Sequence, residues 1–199
     1  MGDVPYGYRV AALAVFATAV VGVDLLRTRG RSTRLPEYGV LLLAGLMGAA
    51  YGVLNDWITS SISSDYFALG KGIARGGTLQ RDAMILGGQA GFSAGVIVGA
   101  VWLYVAAKRH DAVPMHRAML ILRVAWLPLL LAGVFAVLLP ATVGALDTRG
   151  FREALADRLS ASQIDRFLLV WWAHLGAYTG GIAGAVIGAM RLWQRRPGD

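Results

Sequence analysis

The residues of this chain whose types could do chemistry are few, and most lie in or beside apolar runs. Asp56 ends one such run, Gln89 and His174 sit a turn or two inside two others, Tyr178 follows His174 by four residues, and Asp65 stands in a polar stretch. Ionisable groups at membrane depth are costly to keep, which makes them candidates for function. A carboxylate with an imidazole suits either a divalent metal ion or the passage of protons. His174 and Tyr178 share a helix face by their spacing, and that face runs beside Gly176 and Gly180. The structural alternative is plainer: Asp56 caps a helix or pairs with Arg75 or Arg81, and His174 makes one interhelical hydrogen bond. No zinc-protease motif, P-loop or dinucleotide fingerprint accompanies these residues.

The elements that must position them are transmembrane helices. The chain is 56% hydrophobic and 16% charged, against about 25% charged in an ordinary globular domain. Its apolar runs approach the length that crosses a bilayer. They predict a single all-α domain of about five transmembrane helices, at residues 10–26, 38–58, 84–106, 119–143 and 167–193. The first run is read as a retained helix, since its positive charge follows the apolar stretch. Pro36 and Glu37 open the second span, and Pro128 is expected to kink the fourth. Residues 152–166, with Leu155, Leu159 and Ile164 among charged neighbours, predict an amphipathic helix at the interface. Trp57, Trp102, Trp126, Trp171, Trp172 and Trp193 fall near span ends and suggest an interfacial belt.

Five spans place the end of the second, the start of the third and the start of the fifth on one side. Asp56, Asp65, Gln89, His174 and Tyr178 are therefore expected to converge at one membrane face. Tyr66 and Phe67, aromatic within the polar stretch 59–81, suggest that this stretch folds back as a lid. Asp24 and Arg123, near the opposite face, are within reach of an ion pair or of interfacial snorkelling.

The net charge of +7 sits mostly in residues that flank the spans, which favours topology signals and anionic lipid over nucleic acid. The short first loop carries Arg27, Arg29, Arg31 and Arg34 without an acid; Lys108, Arg109, Arg117, Arg191, Arg195 and Arg196 fall on the same side. The expected orientation has the N-terminus outside and the C-terminus cytoplasmic. The chain has no cysteine, which excludes disulfides, thiolate metal sites and cysteine nucleophiles.

Glycines recur at intervals of four: Gly87, Gly91, Gly95 and Gly99 in the third span, and Gly176, Gly180, Gly184 and Gly188 in the fifth. Ala44, Gly48 and Gly52 form a shorter series in the second. Each makes a smooth stripe on which another helix can approach closely, either within this chain or in a homo-oligomer.

The stretch Tyr51-Gly52-Val53-Leu54-Asn55-Asp56-Trp57-Ile58-Thr59, then Asp65-Tyr66-Phe67-Ala68-Leu69-Gly70, resembles a group of uncharacterised multi-pass bacterial membrane proteins. Their pattern there is Tyr-Gly-x-x-His-Asp-x-x-Thr followed by Glu-Tyr-Phe-Thr-x-Gly. Trp172-Ala173-His174-Leu175-Gly176-Ala177-Tyr178 is similar to the group's last span. The resemblance implies a bacterial inner-membrane protein in which Asp56, Thr59, Asp65, Tyr66, Phe67, His174 and Tyr178 form one site. Asn55 replaces the group's His and Asp65 its Glu, which removes one imidazole and shortens one carboxylate; that weighs against a metal more than against proton handling.

These readings point first to a small channel or transporter that handles ions, protons or a divalent metal, with lipid around it and a homo-oligomer or larger complex as its setting. The alternative is an accessory or structural subunit of a membrane complex. A lipid-directed enzyme using Ser60, Ser61, Ser63 or Ser64 comes third, since serines in a polar loop are usually solvated turn residues.

Overall fold

A computed structural model describes residues 6–109, 114–143 and 146–194. Among these residues the α-helices are seven: α1 (Tyr6–Arg27), α2 (Leu35–Ile62), α3 (Leu79–Arg109), α4 (Pro114–Leu122), α5 (Trp126–Val143), α6 (Phe151–Leu155) and α7 (Ala161–Gln194). A single π-helical turn, Tyr66–Gly70, lies between α2 and α3. The described residues include no strand. Three helical stretches, Leu35–Ile62, Leu79–Lys108 and Met115–Val143, are long and apolar enough to cross a membrane. Arg195 and Arg196 lie outside the described residues, as do the side chains of Arg9 and Arg109.

The helices are organised as two pairs. α2 packs along α3, α5 packs along α7, and contact between the pairs is sparse except at their ends. Within each pair, glycines stand where the two backbones come closest. A Cβ on Gly48 would run into the Gly91 carbonyl oxygen, one on Gly52 into that of Gly87, and one on Gly95 into that of Ala44. In the second pair, Gly176 and Gly180 press on the carbonyls of Phe135 and Leu131. Gly99 is less confined, with Ala44 Cβ at 3.1 Å from its would-be side chain.

At one end an apolar cluster of Val40, Trp102, Ile121, Val124, Leu127 and Leu192 joins both pairs to α4. Trp102 is buried there, its indole N–H donating to the Ala185 carbonyl at 2.9 Å while its ring fills the space over Gly188. This corrects its expected place in an interfacial belt; Trp57, Trp126 and Trp193 are exposed.

The stretch expected to form the fourth span is divided instead of kinked at its proline. Residues 123–125 form turns, with Val124 and Leu127 amides bonding three residues back, and α5 starts two residues before Pro128. Pro128 lacks the N–H that would reach the Val124 carbonyl, and its ring crowds that carbonyl, so the break falls there. Segment 152–166 is likewise two pieces. α6 ends at Leu155 and α7 begins after Ser160, whose backbone N–H donates to Gln163 Oε1 at 2.9 Å. That bond is half of a capping box. Leu159, Ile164 and Leu168 then bury one face.

α1 packs along no other helix among the described residues. Its end is tied to the following turn, where Gly30 (φ +77°) donates to the Leu25 carbonyl at 2.7 Å and Ser32 Oγ donates to Asp24. Asp24 is thus engaged locally, and the ion pair with Arg123 does not form; Arg123 is exposed.

Candidate functional site at the polar end of the bundle

Opposite the apolar cluster, the helix pairs meet through polar side chains. Asp56, one and a half turns before the end of α2, is 6% exposed, and His174 of α7 is 4% exposed. His174 Nε2 lies 3.8 Å from Asp56 Oδ1 and 3.4 Å from Thr59 Oγ1. Thr59 Oγ1 donates its one hydrogen to the Asn55 carbonyl at 2.8 Å. It therefore accepts from His174, which assigns a proton to Nε2 by the bonding network. Asn55 Nδ2 donates to Asp56 Oδ1 at 3.0 Å.

Gly87 of α3 forms the floor. A Cβ there would sit 2.5 Å from Asp56 Oδ2, so the carboxylate occupies the space a side chain would take. One member of the glycine series thereby has a second task beyond helix approach. Tyr51, whose hydroxyl is buried without a hydrogen-bond partner, lies within electrostatic reach of Asp56.

The polar stretch after α2 folds back over the pair. Ser63 Oγ accepts the Tyr66 amide at 3.3 Å, and the π turn drives Tyr66 and Phe67 inward. Tyr66 stacks on the imidazole of His174 at 4.9 Å and 17°, and Phe67 meets it edge-on at 5.7 Å. Phe167, two turns before His174 on the same face of α7, supports Tyr66 at 5.3 Å. Lys71 Nζ lies 5.7 Å from the centre of the Tyr66 ring. Burial, with Tyr178 and Asp56 nearby, holds the Tyr66 hydroxyl above the ordinary phenol range, so it stays neutral.

The expected convergence is thus partial. Asp56, Thr59, Tyr66, Phe67 and His174 come together, and Tyr178 borders them, 54% exposed with its ring 6.2 Å from His174. Asp65 bonds elsewhere, to Arg75 Nη2 at 2.8 Å and to Gln163 Nε2 at 3.3 Å. Gln89 is half-buried, and no hydrogen bond links its side chain to the cluster. It follows Gly87 by two residues, about 200° around the helix, and so turns away from Asp56. The arginines considered as partners for Asp56 are taken: Arg75 by Asp65, Arg81 by Asp82 at 3.2 Å.

Among the described residues, no three of His, Asp and Glu gather as metal ligands. None of the four serines bonds to Asp56 or His174; Ser60 and Ser61 donate to the Trp57 carbonyl. Asn55, Tyr51, Ser63 and Phe167 complete the site without having been singled out as members. Phe167 was legible in its seven-residue spacing from His174, and Tyr51 and Asn55 in their places within the motif. No protein-family model matches the chain, and neither curated proteins nor solved structures give a match.

Proposed function

We propose that this chain is a small membrane transporter or channel, of five spans with the N-terminus outside, that binds and passes a proton or a small monovalent cation at Asp56 and His174. The observation that carries this reading is the buried pair itself, 3.8 Å apart and contributed by different helix pairs. A carboxylate and an imidazole removed from water are expensive in lipid, and apolar packing would close the gap at lower cost. The glycine stripes serve close helix packing in the membrane. A single carboxylate with a single imidazole favours a proton or monovalent cation over a divalent metal, which takes more ligands.

The test is flux in reconstituted vesicles. Asp56→Asn and His174→Ala should each abolish proton or cation movement read by a trapped dye, while the purified proteins keep their folded elution profile in detergent. Loss of thermal stability alone, with flux intact, would overturn the reading. The accessory-subunit reading has its own support in α1, which among the described residues packs along no other helix. Stoichiometric recovery of a second protein from native membranes would favour it; a clean homo-oligomer would count against it.

A further inference from the structure

A proton or cation site roofed by Tyr66 and Phe67 needs a path to water. Beside it lies a polar cleft of about 460 Å³, lined by Ser60, Ser64, Asp65, Arg75, Leu79 and Gln80 among others. Ser60 lines the cleft and Asp56 lies four residues before it on α2, so one helix face descends from the cleft to the carboxylate over about 6 Å, while Ser64 stands at the mouth just past the helix end at Ser63. Across from it, α3 gives Leu79 and Gln80 to the cleft, then the fully buried Ala83, then Gly87 against Asp56. The same two helices therefore frame both the cleft and the carboxylate, with Ser60 and Ala83 between them. Gln80 Nε2 donates to Ser61 Oγ at 2.9 Å and holds the helix ends together at the mouth. Ser60 spends its hydrogen on the Trp57 carbonyl, which leaves its oxygen lone pairs as acceptors. Arg75 is neutralised by Asp65, so the cleft presents no unpaired cation of its own.

We propose that this cleft is the aqueous entrance to Asp56, admitting water, protons and small monovalent cations past a neck at Ser60 and Ala83. The proposal rests on the proton- or cation-handling reading of Asp56 and His174. Because the chain has no cysteine, single-cysteine variants report access cleanly. Ser64→Cys, Ser60→Cys and Leu54→Cys would be treated in proteoliposomes with charged, membrane-impermeant thiosulfonates on both faces. Leu54 is exposed on α2 and faces lipid in the five-span arrangement.

Expected is modification at Ser64→Cys and Ser60→Cys, with none at Leu54→Cys. At Ser60→Cys the cationic reagent should react roughly ten-fold faster than the anionic one, since the Asp56 carboxylate lies below. A Ser60→Cys as inert as Leu54→Cys, or one that prefers the anionic reagent, overturns the entrance. Cation-selective modification of Ser60→Cys combined with unchanged flux in Asp56→Asn would support the entrance and overturn only the transport reading.

Discussion

At the end of the bundle where α4 lies, the two helix pairs meet through apolar packing around Trp102, Ile121 and Leu192; at the other end they meet through Asp56 and His174 beneath an aromatic lid. The first junction needs only shape. Hydrophobic burial is non-directional, and the Trp102 indole buried within the cluster finds the Ala185 carbonyl. The second junction places a carboxylate, an imidazole and a threonine where apolar side chains would be cheaper. The contrast separates a stability device from a chemical one within a single small protein.

Within each pair, backbone contact should dominate stability. Gly91→Ala drives a methyl group into the Gly48 carbonyl and is expected to cost about 3 kcal/mol or more. Gly133→Ala meets nothing within 4 Å and should be neutral or stabilising by up to about 1 kcal/mol. Thermal unfolding in detergent measures both; equal effects would mean that the pairs do not depend on close approach.

The two junctions should then part company. Trp102→Ala opens a cavity and removes the indole bond to the Ala185 carbonyl, at a cost of about 3–5 kcal/mol. Asp56→Asn keeps volume and hydrogen bonding while removing a buried charge, and should cost about 1 kcal/mol or less. Asp56→Asn as damaging as Trp102→Ala would turn the polar end into a structural clamp and remove the support for transport.

The smallest effect belongs to the outer rim of the polar end. Asp147 accepts the backbone N–H groups of Arg149, Phe151 and Arg152, at 3.2, 2.9 and 2.6 Å. These bonds hold its carboxyl below the ordinary aspartate range, the Arg152 amide contributing most. A lowered folded-state value means that the contribution is complete above the unfolded value of about 4 and is lost as pH falls through the folded one. Protection of the Phe151 and Arg152 amides, taken relative to intrinsic exchange at each pH, should fall only in that acid window, and Asp147→Asn should blunt this pH dependence. An unchanged pH profile in Asp147→Asn would remove this carboxylate from the rim's support.

Much of this was legible in the sequence through periodicity. Apolar runs marked the helices because lipid and packing impose the same demand along the whole length of a span. Spacing of four put the close-approach glycines on single faces, and span order brought Asp56 and His174 to one end. The aromatic pair Tyr66 and Phe67 betrayed the fold-back, since such rings rarely stay in water. These are consequences of local chemistry and chain direction, which a sequence carries without knowledge of partners.

Tertiary structure decided which residues those faces meet. Asp65 and Gln89 shared the expected membrane face, yet Arg75 claims the first and the helix phase set by Gly87 turns away the second. Trp102 had the position of a belt residue, and only the gap above Gly188 made it core. The segment 152–166 had one amphipathic pattern but divides where Ser160 and Gln163 cap a new helix. Identity and spacing fix what a side chain can do, whereas its partner depends on interhelical distance and rotation, which the sequence encodes only through the packing of all the helices together.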